Sequence, residues 1–274
     1  MRDTDELGTR MKGYEIGGVE RRLDPALPIY ARIDGRAFSA FTRTAIRPFD
    51  HRLHGAMIYA TKQLVQHTHA LAAFTQSDEI NLLWHTACAP GDDSQPMFGG
   101  KVHKLTSVLA SLAASAFHLG LHDCYGDAEA TELAQQLPHF DARVISLPSQ
   151  IEAANAMLWR TIDCRKNAVL AAAQAHFSHQ QLDRKNQPEL REMLAERGVD
   201  FETYPEAFKW GTWMRRVTFE RPFTIADMAN IPAEHRPAPD APVTRSEVRV
   251  MDMPEFVRVK NRREVIFEGA EPQT

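Results

Sequence analysis

The order in which periodic segments follow one another most constrains what this chain can fold into. Pro28 to Phe38 reads as a strand that breaks at Asp34-Gly35. Arg52 to Ala72 has helical periodicity through Leu53, Met57, Ala60, Leu64 and Val65. Phe74 to Trp84 reads as two short strands meeting at a polar turn, Gln76-Ser77-Asp78-Glu79. Lys101 to Leu121, rich in Ala and Ser and introduced by Gly99-Gly100, reads as a long helix, and Arg143 to Leu147 as a strand ended by Pro148. Strand, helix, two strands, helix, strand is the β-α-β-β-α-β ferredoxin-like arrangement. It predicts an α+β domain with an antiparallel sheet and helices on one face.

Around this unit, Asp3 to Glu15 reads as a short amphipathic helix with Leu7, Met11 and Tyr14 on one side. Ser149 to Phe177 reads as a second long helix, with Glu152 completing a capping box. A short helix (Pro188 to Arg197), a strand (Thr212 to Phe219) and a proline-rich linker (Pro232 to Pro242) follow. Two β-like runs, Glu247 to Met251 and Glu264 to Phe267, close the chain. The expected organisation is one domain over residues 1–274, with a core of about 28–177 and an extension of about 178–274.

At 43% hydrophobic residues the chain can bury a core, but its net charge of −4 does not advertise a nucleic-acid binder. Any RNA partner requires positive charge that is local or assembled across subunits. Cys88, Cys124 and Cys164 are widely spaced, which fits reduced thiols in a cytoplasm rather than disulfides or zinc. The polar Met1 to Arg10 is not a signal peptide, no apolar run is expected to span a membrane, and a membrane partner is not expected.

The informative pair is Arg32-Ile-Asp-Gly-Arg36 and Gln76-Ser-Asp-Glu79. In the topology above, the strand carrying Asp34 and the hairpin carrying Asp78 can be sheet neighbours, so the two carboxylates can converge on one edge. Magnesium takes hard oxygen ligands, usually one or two carboxylates plus substrate phosphates. Two such ions can polarise the attacking and leaving oxygens of an in-line displacement. Gly35 admits close backbone approach and offers its carbonyl, and Arg36 to Ser39 bring N–H groups toward phosphate. Asp-Gly is also a common turn pair, so either motif alone reads as a hairpin turn. The two together, in these elements and flanked by Ile33, Phe38, Ile80 and Leu82, read as a site.

Those residues, with Trp159-Arg160-x-x-Asp163-Cys164-x-x-Asn167, resemble motifs of the tRNA-His guanylyltransferase family and its bacterial and archaeal relatives. The opening Asp5 to Glu15, the stretch Phe98 to Phe117 and the closing Asn261 to Phe267 are similar as well. The resemblance implies a polymerase-palm fold and two Mg2+ ions. It implies addition of GTP or another nucleotide to the 5′ end of tRNA, in the 3′–5′ direction, after activation of that end by ATP. It also implies a dimer or tetramer with tRNA bound across subunits. By position, Asp34, Gly35 and Asp78 match metal ligands, and Glu79 a catalytic carboxylate beside them. Arg32, Asp34, Gly35, Arg36, Ala37, Phe38, Ser39, Ser77 and Asp78 match nucleotide contacts. So do Arg47 and Asp50, Lys101 and Lys104, and Asn167. Gly100-Lys101 replaces the eukaryotic Arg-Arg, and Arg165-Lys-Asn-Ala168 the eukaryotic His-x-Asn-Asn, which favours the template-dependent relatives that repair 5′-truncated tRNAs. A nucleotide cyclase built on the same palm, or a transferase with another acceptor, is the alternative.

Other groups remain open at this level. Arg32, Arg36, Arg47, Lys101, Lys104 and Arg165 form a candidate triphosphate set. Lys209, Arg215, Arg216, Arg258, Lys260, Arg262 and Arg263, with Trp210 and Trp213, read either as an RNA surface or as solvated strand charges over a core. Arg21 and Arg22 read as surface charge, and Trp159 as core packing. His51, His54, His67 and His69 fall in or near one helix but lack a third metal ligand.

Overall fold

Alternation along Ile29–Gly35 (β1) puts Ile29, Ala31 and Ile33 into one apolar layer and Tyr30 into another on the opposite face, the side that Arg32 and Asp34 share. The computed structural model describes residues 7–14, 21–85, 96–224 and 241–274, with positions 227, 231, 232, 235 and 238. In it, β1 lies between Phe140–Ser146 (β4) and Glu79–Trp84 (β3). Ala72–Gln76 (β2) pairs with β3, then Thr212–Pro222 (β5) with β2 and Pro242–Met251 (β6) with β5. All pairings are antiparallel, in the order β4-β1-β3-β2-β5-β6. The first four strands form the ferredoxin-like palm, and β5 and β6 widen it.

Residues 7–14 form the first helix (α1) and Phe38–Phe41 the second (α2). His51–Thr68 (α3) and Val102–Cys124 (α4) cross the Ile33 face, where Met57, Leu64, Leu109 and Phe117 pack on Ile33, Ile80 and Leu82. Burial of this apolar surface is the main stabilising contribution of the layer. After α4 come Asp127–Gln135 (α5) and, beyond β4, Gln150–Gln174 (α6). α6 packs on the other face, where Ala153, Ala154 and Met157 meet Tyr30, Phe74 and Leu83. The sheet is therefore covered on both faces: the two crossover helices share one, as expected, and α6 takes the other. Ser149 caps α6 by accepting from the Glu152 N–H at 3.1 Å.

His179–Leu182 (α7), Gln187–Glu196 (α8) and Glu206–Trp210 (α9) fold against the C-terminal half of α6 through Val169, Leu190, Leu194 and Phe201. Arg262–Phe267 (α10) ends the fold.

Several expectations change. Glu264 to Phe267 is helical, its alternating pattern arising from Val265, Ile266 and Phe267 packing under β5 and α6. α5 was not foreseen: two turns bury only Ala130 and Ala134, too little for a periodic signal. Leu7, Met11 and Tyr14 of α1 are exposed rather than packed. Most of the Pro232 to Pro242 linker, Cys88, and residues 3–6 and 15 of the first helix lie outside the described residues. α4 is long and apolar enough to cross a membrane by length and composition, against expectation. Its Leu109, Ala113, Phe117 and Leu121 are instead buried against α3 and the sheet.

Candidate active site

A cavity of about 580 Å³ opens where β1 ends and the β2–β3 turn begins. Asp34 closes β1 and Asp78 sits in that turn, and both line the cavity. Backbone pairing fixes the end of β1 from both sides. Asp34 is the register partner of Glu79 on one side and Asp141 on the other. The Gly35 N–H donates to the Asp78 carbonyl at 3.0 Å, and the Arg36 N–H to His139 O at 2.9 Å. Ala37, at φ 57°, then turns the chain into α2. Beneath it Phe38 is locked among Phe41, Phe117 and Phe140, with ring centroids 5.0 to 5.4 Å away.

The electrostatics favour a bound cation. Burial, then the charge of Glu79, pushes Asp34 above the usual carboxylate range. Burial, with the charge of Asp34 adding to it, pushes Asp78 up to about 6 although the Ser77 hydroxyl donates to it at 2.9 Å. Among the described residues neither carboxylate has an ion-pair partner within 4.0 Å. Nor do three or more His, Cys, Asp or Glu side chains gather there to cage a metal alone. Two carboxylates and the Gly35 carbonyl are hard oxygen donors, the incomplete set that magnesium accepts when phosphates supply the remainder. The residues fit the ion.

Of the residues singled out from sequence, Asp34, Gly35, Ala37, Phe38, Ser39, Arg47, Asp50, Ser77, Asp78, Glu79 and Asn167 line the cavity. Arg32, Arg36, Lys101 and Lys104 do not. Arg32 lies two register rows further along the sheet, opposite Asn81 and Arg143. Lys101 and Lys104 begin α4 at the other end of the sheet: Lys101 bridges to Arg22, and the next segment, at Asp24, reaches Ser146, the partner of Ile29. From Lys104 to Phe117, which touches Phe38, the helix rises about 20 Å.

Two lining residues have other partners. Asp50 is buried and caps α3, accepting from Arg52 N at 3.0 Å, Ile46 N at 3.2 Å and the Arg52 guanidinium. Those bonds hold its carboxyl below the usual range despite burial. Glu79 is clamped by Arg160 through Nε at 2.8 Å and Nη2 at 2.6 Å.

Elsewhere, Trp159 is 56% exposed and stacks on Arg160 at 4.6 Å, so it is not core. Trp213 is 3% exposed and is core. Lys209 is buried against Glu206 and Glu202. The Arg215 guanidinium holds the carbonyls of Val265 and Ile266, and Arg262 those of Phe256 and Val257. These cations fasten the C-terminal extension. Arg165 lies between the rings of Phe201 and Trp210, each 4.5 Å away, and pairs with Glu202 at 2.5 Å. It belongs to that packing and not to the cavity.

Sequence reasoning missed Phe49, Leu170, Gln174 and Phe208 in the cavity lining, and weighed His54, which also lines it, only as a metal ligand. Phe49 packs 5.3 Å from His54 and 5.4 Å from Phe208. Phe208 comes from α9, some 150 residues beyond, and only tertiary structure joins them. Thr212 meets His54 Nε2 at 3.2 Å, and burial, then the nearby His51, depresses the His54 pKa to about 4.

A ferredoxin-like palm with two carboxylates lining a cavity sized for a nucleotide fits a nucleotidyltransferase. A family model described as tRNAHis guanylyltransferase matches residues 8–148, just over half of the chain. The chain belongs to the tRNAHis guanylyltransferase family. Protein R259 of Acanthamoeba polyphaga mimivirus is 28% identical over 207 residues, 70% of each chain. The tRNA(His) guanylyltransferase of Schizosaccharomyces pombe is 26% identical over 220 residues, 74% of this chain and 80% of that one. A bacterial tRNA(His) guanylyltransferase-like protein in complex with ATP superposes with a TM-score of 0.73 at 27% identity, covering 95% of this chain and 99% of that one. Its counterpart in complex with GTP gives 0.69 at 25% identity, covering 96% and 99%.

Proposed function

We propose that this chain adds GTP or another nucleotide to the 5′ end of a tRNA in the 3′–5′ direction, using magnesium. The observation that carries this reading is a pair of carboxylates, Asp34 and Asp78, with no cationic partner within 4.0 Å among the described residues, lining one cavity together with apolar side chains. Phe49, Leu170 and Phe208 supply a surface for a base. Arg47 and residues 37–39, whose N–H groups suit phosphate oxygens, line the same cavity and would take a triphosphate. Asp34, Asp78 and the Gly35 carbonyl would hold Mg2+, which when bound polarises the attacking and leaving oxygens.

In the reaction, ATP adenylylates the 5′-monophosphate of the tRNA and releases pyrophosphate. The 3′-hydroxyl of the incoming nucleotide then attacks that phosphorus, forming the new phosphodiester and expelling AMP. A tRNA that already carries a 5′-triphosphate loses pyrophosphate instead. The chain's part is to orient both ends and to hold the two carboxylates side by side, where a bound cation offsets the burial and mutual repulsion that raise their pKa values.

Arg165, packed between Phe201 and Trp210 where eukaryotic relatives carry a histidine, supports repair of 5′-truncated tRNAs over strict guanylylation of tRNA-His. Lys101 and Lys104, remote from the cavity of their own chain, support a homo-oligomer in which they serve another subunit; the widely spaced cysteines support a cytoplasmic setting. The test is incubation with Mg2+, ATP, labelled GTP and a 5′-truncated tRNA. Label at the tRNA 5′ end, lost in Asp34→Ala and Asp78→Ala, is expected. A cyclic nucleotide with untouched tRNA would replace this reading with that of a cyclase.

A further inference from the structure

Glu79 adjoins Asp78 in sequence and faces Asp34 across the β1–β3 ladder, yet both its oxygens are engaged. Oε1 accepts from Arg160 Nε and from Asn81 Nδ2, each at 2.8 Å, and Oε2 accepts from Arg160 Nη2 at 2.6 Å. Arg160 Nη2 also donates to Asp163 at 2.8 Å, and Asn167 donates to the same Asp163 oxygen at 3.4 Å. Asn81 accepts from the Tyr30 hydroxyl at 2.5 Å and donates to Phe74 O at 3.3 Å. Arg160 is 5% exposed, Glu79 6% and Asn81 0%. One network thus fastens β1, β2 and β3 to α6 directly behind the carboxylate turn.

We infer that Arg160 is a positioning residue for the two-carboxylate site, acting through Glu79. The inference rests on the nucleotidyl-transfer reading above and adds a role to it. A buried ion pair gives up hydration that apolar residues of equal volume would not, so stability alone does not account for it. What the pair provides is geometry. The planar guanidinium fork accepts one orientation of the Glu79 carboxylate, and a lysine ammonium cannot reproduce it. With Glu79 fixed, the strand end bearing it and the Asp78 turn before it are fixed against Asp34 and against Asn167 on α6. Glu79 therefore shapes the site without being a metal ligand, because its oxygens are already filled.

The test uses purified full-length protein with Mn2+ as the probe. Mn2+ binding is followed by electron paramagnetic resonance, alongside kcat, KM for GTP and the melting temperature. The variants are Arg160→Lys, the paired Glu79→Leu/Arg160→Met, and Asp34→Ala. The expected result is Mn2+ affinity and kcat each lowered roughly 10- to 100-fold in the first two, as for outer partners of metal ligands, with KM for GTP within about threefold. The paired variant should melt no lower than the unmodified protein. Unmodified Mn2+ affinity and kcat in Arg160→Lys overturn the inference, as does loss that only tracks a lowered melting temperature. Should the paired variant not fold, Arg160→Lys decides alone. Asp34→Ala separates the two levels. If it keeps Mn2+, the metal reading itself fails; if it loses Mn2+ while Arg160→Lys keeps it, only the role of Arg160 fails.

Discussion

The Gly35 amide donates to the Asp78 carbonyl at 3.0 Å, tying the end of β1 to the β2–β3 turn. The two carboxylates therefore move as one piece of backbone.

Gly35 admits no side chain at this junction. A Cβ there would stand 2.3 Å from Cδ2 of Phe38, a ring enclosed by Phe41, Phe117 and Phe140. Gly35→Ala is expected to cost about 1–3 kcal/mol through overpacking. It should lower kcat/KM by about 100-fold, since small misplacements of reacting groups are that costly. Thermal melting and 5′-extension kinetics check both, and adding Phe38→Leu should restore most of the stability.

Asp78 is half-buried, without a cationic partner among the described residues, and its pKa stands at about 6. At pH 7 and without divalent ions it is therefore a charge the fold bears at a cost. Asp78→Asn should raise stability in EDTA by up to about 3 kcal/mol, from a shift of about two pKa units, while abolishing transfer. Urea unfolding with and without Mg2+ measures this. Mg2+ should stabilise the unmodified protein and leave the variant unchanged.

The palm was legible because its strands and crossover helices each carry a strong period, and because Asp34-Gly35 and Asp78 fall at strand ends. What was not legible depended on contacts distant in sequence. Glu264 to Phe267 alternates like a strand and folds as a helix, since four residues cannot separate the two periods. Trp159 resembles a core residue by type, but its position on α6 faces away from the sheet, while Arg160 beside it is buried. The charge of Lys104 suited a phosphate ligand, but only the direction of α4 reveals that it starts at the far end from Asp34. Phe208 and His54 share the cavity through α9 and α3 packing, which no local pattern encodes.

His54 gives the fold a pH dependence. Its folded-state pKa of about 4 lies below its ordinary 6.5 because burial disfavours the charged ring. Between those values the unfolded chain binds more protons, so stability rises with pH across that window and is lost as pH falls from about 6.5 toward 4. The full effect is up to about 3 kcal/mol. His54→Asn should flatten the profile of unfolding free energy between pH 4.5 and 7. A slope as steep as that of the unmodified protein would assign the dependence to other groups.

Arg165 is expected to act on stability rather than on catalysis. Its guanidinium lies between Phe201 and Trp210, pairs with Glu202, and buries Nη1 without a hydrogen-bond partner. Arg165→Ala removes both cation–π contacts and the ion pair and should cost about 2 kcal/mol. Because the cavity does not include it, kcat at a temperature well below melting should remain within about twofold, the range expected for a residue outside the site. Urea denaturation and the 5′-extension assay at that temperature separate the two effects.

Lys104 supplies the sharpest test of assembly. It stands about 20 Å of helix from the residue that touches Phe38, so within its own chain it does not reach the Asp34 cavity. If a second subunit provides it, Asp34→Ala and Lys104→Ala damage opposite halves of a shared site. Co-expressed, they should form hybrids in which one cavity has intact carboxylates from one chain and an intact lysine from the other. Random pairing into a two-fold dimer then restores roughly a quarter of the unmodified activity, although each variant alone is nearly inactive. Activity of the co-expressed pair equal to the average of the two variants would remove Lys104 from the site altogether, and the cavity's own Arg47 would remain as its cation.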